Sequence, residues 1–457
     1  MLNPPSNPVS LKRRVLAAGS WSLAGFAAGN VVRLASSLLL TRLLVPDMFG
    51  VMGVAGIILI GLQLFSDIGL LPNIIQSPRG GDPAFLNTAW VIEILRGFVL
   101  WSAALVVSLI VLEGGRFGLF PAHSVYADPR LPYVIAVSSF TIVIGGFQST
   151  KLLEARRNLI VGRITLIDLI AQAAGVACAL AWAFADRSIW ALVSNWFGLG
   201  LTKVILSHFW LPGNRNRWAW DKAAFNEIVH FGKWIFLSSA LGFLAINSDR
   251  LLLGNFVSPT VLGIYFIAFN VLGMVDQMVS KLIVDLSFPA LSEVSRERPD
   301  AFSKNYGQFH LAVTSVGYLC AGALMASGNT LIDLLYDPRY HDAGWMLQII
   351  SVVLLVVPFR LATQCFLVFG APQIYSHVQG IRLIGLLLFM PAGFYLFGLP
   401  GALWGNVLSV FMSAPLIVVH MRKYGLLDLR RELLALPLVV PGLIAGELFT
   451  VAVRHFW

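Results

Sequence analysis

The sequence predicts an all-α, polytopic membrane protein, and three observations carry that prediction. Of the 457 residues 57% are hydrophobic and only 12% charged, with a mean hydropathy of +0.78, which is more apolar surface than a soluble core of that length buries. Apolar runs of about 20 residues, the length a helix needs to cross a hydrocarbon layer about 30 Å thick, recur along the chain between short polar loops. Lysines and arginines collect in alternate loops.

Measured against that 20-residue template, about thirteen spans are expected. They fall near residues 16–39, 49–70, 87–112, 131–150, 164–185, 189–210, 234–256, 261–285, 308–332, 343–369, 379–397, 401–420 and 434–454. The first run follows Lys12, Arg13 and Arg14. It is too long for a secretory h-region and lacks a small-residue cleavage site, so it is expected to remain as a span behind a basic interfacial helix. The last run is interrupted by Pro437 and Pro441 and contains Glu447. It reads either as a thirteenth span or as a re-entrant or peripheral helix.

With the N-terminus in the cytoplasm, nineteen of the thirty-two basic residues fall in loops on that side, six in the opposite loops and seven within spans. The excess predicts orientation by the positive-inside rule. The formal net charge of +9 therefore reports topology and not nucleic-acid binding, because the bases form no stripe on a soluble face. Cys178, Cys320 and Cys365 all lie in apolar stretches. They read as small buried hydrophobes, with no disulfide framework and no metal or cofactor site.

Sliding the chain against itself by 213 residues reveals an internal repeat. Gly19, Trp21, Ala27, Gly29, Leu38, Leu39, Leu40, Pro46, Gly50 and Ala55 fall on Gly232, Trp234, Ala240, Gly242, Leu251, Leu252, Leu253, Pro259, Gly263 and Ala268. Six spans separate the copies, so both enter the membrane in the same direction and the halves should be parallel repeats about an axis along the membrane normal. The expected organisation is a basic N-terminal segment at 1–15, an N-lobe at 16–210, a cytoplasmic linker at 211–233, a C-lobe at 234–420 and a C-terminal extension at 421–457. The linker, rich in Trp and Arg, is expected along the cytoplasmic interface.

The runs TRLLVPDMFGVMGVAGIILIGLQLFSDIGLLPNIIQ at Thr41–Gln76 and NSDRLLLGNFVSPTVLGIYFIAFNVL at Asn247–Leu272 resemble the polysaccharide transporter family. These are the Wzx-type oligosaccharide flippases of the multidrug/oligosaccharidyl-lipid/polysaccharide exporter superfamily. The resemblance covers most of the chain as a pattern of spans, glycines and charges, without a catalytic signature. It implies two six-helix lobes around a V-shaped central cavity and alternating access in the bacterial inner membrane. It also implies transport of undecaprenyl-pyrophosphate-linked glycans from the cytoplasmic to the periplasmic leaflet, among membrane lipids and alongside a polysaccharide polymerase and co-polymerase. The odd span number departs from the twelve or fourteen usual in that superfamily.

An ionisable side chain in a span costs about 2.5–3.5 kcal/mol on insertion scales, so each requires a partner or a wet cavity. Glu93 with Arg96 and Lys281 with Asp285 are spaced to neutralise each other on one helix face, and Lys203 is expected to snorkel to the cytoplasmic interface. Arg33, Arg250, Arg360 and Arg382 have no acid one turn away and are the candidates for a pyrophosphate headgroup, since guanidinium supplies planar, permanent charge with several donors. Depth along each span places Arg33 and Arg250 toward the periplasmic side and Arg360 and Arg382 toward the cytoplasmic side, which would make two cationic stations. Each arginine also has a plain reading as a structural ion pair or interfacial anchor. Asp67, Asp168, Asp249 and Asp276 are candidates for coupling to a proton or sodium gradient. GxxxG spacing at Gly25/Gly29 and Gly401/Gly405 points to tight packing within the chain.

An enzyme would be expected to carry catalytic groups in a large extramembrane loop. The longest outer loop, around Gly114–Arg130, offers only His123 and Asp128, and P-loop, HExxH and GxSxG motifs are lacking. A cation-coupled drug antiporter of the same fold is the stronger rival and should show carboxylates dominating its cavity. A non-transporting scaffold for glycan assembly is the third reading, disfavoured by the repeat and the buried charges.

Overall fold

The computed structural model describes residues 11–67, 69–158, 160–428 and 435–456, and every regular element among them is helical. Nine helical stretches are long and apolar enough to cross a membrane among the described residues, or ten if the bent pair Leu131–Gly146 and Lys151–Arg157 counts as one. The chain divides into two compact units, one of residues 1–122 and 126–240, the other of 241–457 with the short piece 123–125.

In the first unit, α1 (Leu11–Leu43) is followed by α2 (Pro46–Leu64), which opens on a proline whose missing N–H costs a helix start nothing. Asp67 Oδ1 accepts from the N–H of Gly69 at 2.8 Å, and Gly69, at φ 60, makes the left-handed step into α3 (Leu70–Gln76). Next, α4 (Pro83–Arg116) is capped by Asp82, which accepts from Ala84 N. The span expected at 131–150 is broken into α5 (Leu131–Ser138) and α6 (Phe140–Gly146), with α7 (Lys151–Arg157) bent away by 63°. The break has a polar cause: Ser149 N donates to Ser207 Oγ at 3.0 Å instead of continuing a helix. Helices α8 (Val161–Ala185) and α9 (Trp190–Phe209) then pack as a hairpin, with Gly175 against Asn195 and Gly198 against Cys178.

The segment after Leu211 is a strap bound to this unit. Its residues alternate, with Asn214 and Asn216 turned inward and Arg215 and Arg217 exposed. Asn214 donates to Asn87 at 3.2 Å, Asn216 bonds Ser149 and Thr150, and Asp221 pairs with Arg79 at 2.5 Å. In the first turns of α10 (Lys222–Phe256), Ala224 and Ile228 are buried in one cluster with Ile74, Phe85 and Leu86. Fully burying a side chain the size of Ile228 contributes about 1.5–3 kcal/mol.

The second unit contains the end of α10, α11 (Pro259–Lys281), α12 (Phe288–Glu297) and α13 (Phe302–Leu335). It continues with α14 (Ala343–Ser351), α15 (Val357–Val368), α16 (Pro372–Phe411), α17 (Ala414–Lys423) and α18 (Val439–Phe456). Between α11 and α12 lies a π-turn, Leu282–Ser287. Pro289 just beyond it has no N–H and crowds the carbonyl four residues back, and a wider turn relieves that clash. The stretch 379–420 folds back on itself at Gly398, φ 65, where Gly393 and Gly401 meet backbone to backbone. Gly405 likewise lies on Phe389 and Met390, and Gly25 lies on Thr165 of α8, so both GxxxG pairs pack within the chain. Helix α18 rests on α13 through Gly442 and Gly446, against Leu319, Gly322 and Ala323. Residues 1–10 of the expected N-terminal segment and 429–434 of the C-terminal extension expected at 421–457 lie outside the described residues.

Candidate functional site

The polar end of α10 carries Asn247, Ser248, Asp249 and Arg250 in succession, all four buried. Short polar side chains survive there by bonding backwards along the helix: Asn247 Nδ2 donates to Phe243 O at 3.1 Å and Ser248 Oγ to Leu244 O at 2.6 Å. Arg250 is held by Ile246 O at 2.7 Å, Asn247 Oδ1 at 2.9 Å and Asp249 Oδ1 at 3.4 Å. Its guanidinium carbon lies 4.0 Å from the ring centroid of Phe269 on α11, a cation–π contact strengthened by desolvation. Tyr265, fully buried, donates to Asp249 Oδ2 at 3.1 Å and has the Asn406 side chain beside it.

A second pair joins α15 to α11. Arg360 Nη1 meets Asp276 Oδ1, and Nη2 donates to Ser280 Oγ at 2.5 Å. The side chains of Arg360 and Asp276 are 34% and 37% exposed, so this pair is accessible where Asp249–Arg250 is sealed. Arg382 on α16 is close enough to Asp249, Asp276 and Arg360 for all three charges to act on it. Among the described residues no hydrogen bond or ion pair engages Arg382. Two carboxylates and three guanidinium groups leave one formal positive charge in excess.

Five of the eight sequence-selected residues therefore belong to one cluster in the second unit. Arg250 is paired with Asp249 and Arg360 with Asp276, and the charges of Asp249, Asp276 and Arg360 all act on Arg382. Arg250 and Arg360, with no acid one turn away, are nevertheless paired. A search at one-turn spacing overlooks Asp249, one residue before Arg250, and Asp276, 84 residues before Arg360.

The other three lie in the first unit and apart from one another in their bonding. Arg33 is exposed on α1 and donates to Asn30 Oδ1. Asp168 forms an ion pair with Lys203 at 2.7 Å, so Lys203 does not simply snorkel away. Asp67 lines a cavity of about 250 Å³ with Trp90, Glu93 and Gln148. Glu93 also borders an adjoining cavity of about 510 Å³ with Gln63, Arg96 and Trp196. The expected Glu93–Arg96 pair is present at 2.9 Å, and Arg96 donates further to Ser66 Oγ at 3.0 Å and Gln63 O at 3.1 Å. Gly146 makes this site: its backbone lies so near Glu93 O that a Cβ there would stand 2.7 Å away. Asp67, Glu93 and Arg96 together carry one negative charge in excess, the opposite sign to the cluster of the second unit.

Tyr265, Phe269, Ser280 and Asn406 escaped sequence reasoning because uncharged residues in apolar helices carry no distinguishing signal. Glu93 was legible as a pair member but not as a cavity wall. No group of three or more metal-ligating side chains occurs among the described residues.

Helices long and apolar enough to cross a membrane, with polar clusters buried among them, define a multi-pass membrane protein among the described residues. Over residues 39–345 it matches the model of the polysaccharide biosynthesis protein family, and it belongs to that family. It is 21% identical over 348 residues to the lipopolysaccharide biosynthesis protein WzxC of Escherichia coli K12, covering 76% of this chain and 68% of that one. To the amylovoran biosynthesis protein AmsL of Erwinia amylovora it is 22% identical, covering 52% and 60%. Among solved structures, the lipid II flippase MurJ in an inward closed conformation superposes with a TM-score of 0.69 at 10% identity, over 96% of this chain and 98% of that one. An inward-facing multidrug resistance MATE family transporter gives 0.56 at 12% identity, over 93% and 96%. These neighbours share the fold and are transporters, not enzymes.

Proposed function

We propose that this protein is a flippase that moves an undecaprenyl-pyrophosphate-linked oligosaccharide from the cytoplasmic to the periplasmic leaflet of the bacterial inner membrane by alternating access. The observation that carries the reading is Arg382, an unengaged guanidinium inside a cluster of net positive charge in a chain of the polysaccharide biosynthesis family. A pyrophosphate oxygen supplies the acceptors that Arg382 lacks, and charge-assisted bonds from guanidinium to phosphate are among the stronger hydrogen bonds in proteins. Arg360 joins it once Asp276 lets go, and protonation of Asp276 is the simplest release. Arg250, locked to its own helix and to Asp249, shapes the field and does not leave its place; Arg33 serves as an interfacial contact for the carrier.

Coupling to a proton or sodium gradient belongs, in this reading, to the carboxylates. Asp276 answers to Arg360 and Asp249 to Arg250 and Tyr265. Asp67 shares its cavity with Glu93, where negative charge is in excess, and Asp168 is balanced by Lys203. The polymerase and co-polymerase would act on the glycan after it is flipped. Net positive charge around Arg382 favours an anionic substrate over the cationic drugs of an antiporter. The test is transport of a fluorescent lipid-linked oligosaccharide in proteoliposomes, with and without imposed gradients. Accumulation in the outer leaflet by wild-type protein supports the function, and indifference to proton and sodium gradients alike removes the coupling.

A further inference from the structure

A groove of about 350 Å³ lies in the first unit, away from the cavities bordered by Glu93, and is lined by Met48, Arg130, Tyr133, Arg187, Ser188 and Trp190 among others. Its residues come from the start of α2, the start of α5 and the α8–α9 connection, which the distribution of basic residues assigns to the outer face. That volume lies within the range of small-ligand sites, about 300–1,000 Å³.

The groove is built and not incidental. Arg130 is fixed by Asp128, through Nε at 3.0 Å and Nη2 at 2.7 Å, and by Asp47 at 2.8 Å, so one wall is rigid before anything binds. Arg187, by contrast, is exposed and makes no ion pair or hydrogen bond among the described residues. The Ser188 hydroxyl oxygen is enclosed behind this lining with no hydrogen-bond partner. Tyr133 is exposed and Trp190 half-buried, and each offers an aromatic face. Asp128 and Asp47 offset the charge of Arg130, so Arg187 is the cation open to a ligand here, and with the two rings it matches an acidic pyranose. The C–H face of the sugar stacks on a ring and its carboxylate meets the planar guanidinium of Arg187.

We propose that this groove binds an acidic sugar residue of the translocated glycan on the outer face, holding it after passage. The inference rests on the flippase reading, and it extends that reading from carrier headgroup to glycan chemistry. A rival occupant is the headgroup of an anionic phospholipid.

Saturation-transfer NMR on the full chain in phosphatidylcholine nanodiscs tests it, with sodium glucuronate as probe and glucose as neutral comparator. Glucuronate should receive saturation and bind at least about tenfold tighter than glucose, and R187Q should remove about tenfold of that affinity while leaving glucose unchanged. Y133A should weaken both sugars. Equal signals for the two sugars, or an R187Q protein that binds glucuronate as wild type does, overturns the proposal. Loss of the wild-type glucuronate signal in discs containing phosphatidylglycerol also overturns it, in favour of a lipid headgroup site. The two readings fail separately. A protein that flips lipid-linked oligosaccharide yet ignores glucuronate leaves the proposed function standing without this groove, and one that binds glucuronate yet flips nothing does the reverse.

Discussion

The phenol of Tyr265 on α11 donates to Asp249 Oδ2 on α10 at 3.1 Å, and this bond ties the sealed half of the cluster together. Asp249 and Arg250 are only 9% and 10% exposed, so water is not at hand to replace a lost donor. Tyr265→Phe should lower stability by about 1–3 kcal/mol, the penalty for leaving a buried polar group unsatisfied. The check is the apparent thermal unfolding midpoint of the purified protein, read together with N406A. The two substitutions should combine non-additively because they share Tyr265.

The Asp276–Arg360 pair is a switch in this account, and a switch has a signature in a double-mutant cycle. Arg360→Gln leaves Asp276 without its cation, whereas D276N with R360Q removes both charges. The double variant should unfold at a higher temperature than R360Q alone. Because both side chains are more than a third exposed, the coupling should be modest, about 1 kcal/mol. Strict additivity would mean that the pair is not an energetic unit.

Close approach of α4 and α6 at Gly146 sets the wall on which Glu93 sits. Gly146→Val adds a branched side chain where no Cβ fits, and overpacking of that kind costs about 1–3 kcal/mol. The expected result is a lowered unfolding midpoint together with loss of any transport dependence on an imposed gradient. Preserved gradient dependence would detach the Glu93 cavity from coupling.

His341, in the loop before α14, hydrogen-bonds to Asp333 Oδ1 at 2.6 Å. That bond, with the Asp333 and Asp342 charges, raises the His341 pKa above its ordinary 6.5. A raised value means that the folded state favours the charged ring. The contribution to stability is fully present below the unfolded-state pKa and is lost as pH rises through the folded one. NMR titration of the imidazole should place its midpoint above 6.5, and Asp333→Asn should bring it down. A midpoint unchanged by D333N would remove the pairing from the explanation.

Much of the architecture was written in the apolar periodicity. Nine or ten of the expected spans appear as helices long and apolar enough to cross a membrane among the described residues, and Pro46 and Pro259, aligned by the 213-residue shift, each begin a helix. The π-turn before Pro289, the break at Ser139 and the strap bound to Asn87 and Arg79 were not legible. The first two are local departures inside apolar runs that hydropathy does not register, and the strap depends on partners far away in sequence. The site shows the same division. Charges in spans marked Arg250, Arg360, Arg382, Asp249 and Asp276, because burying a charge is costly enough to stand out in any apolar run. What they do to one another was hidden, since pairing across helices leaves no spacing rule in the chain. Tyr265 and Asn406 look like any other span residues until the fold brings Asp249 between α10 and α11.

The account turns on Arg382, the guanidinium of the Asp249–Asp276 cluster that no hydrogen bond or ion pair engages among the described residues. Flipping of a fluorescent lipid-linked oligosaccharide should be measured in proteoliposomes containing wild-type, R382K and R382A proteins of equal abundance and matching thermal stability. Loss of a charge-assisted phosphate contact of about 1.5–3 kcal/mol predicts an R382A rate at least about tenfold below wild type, with R382K between them. A folded R382A protein that flips at the wild-type rate would contradict the account.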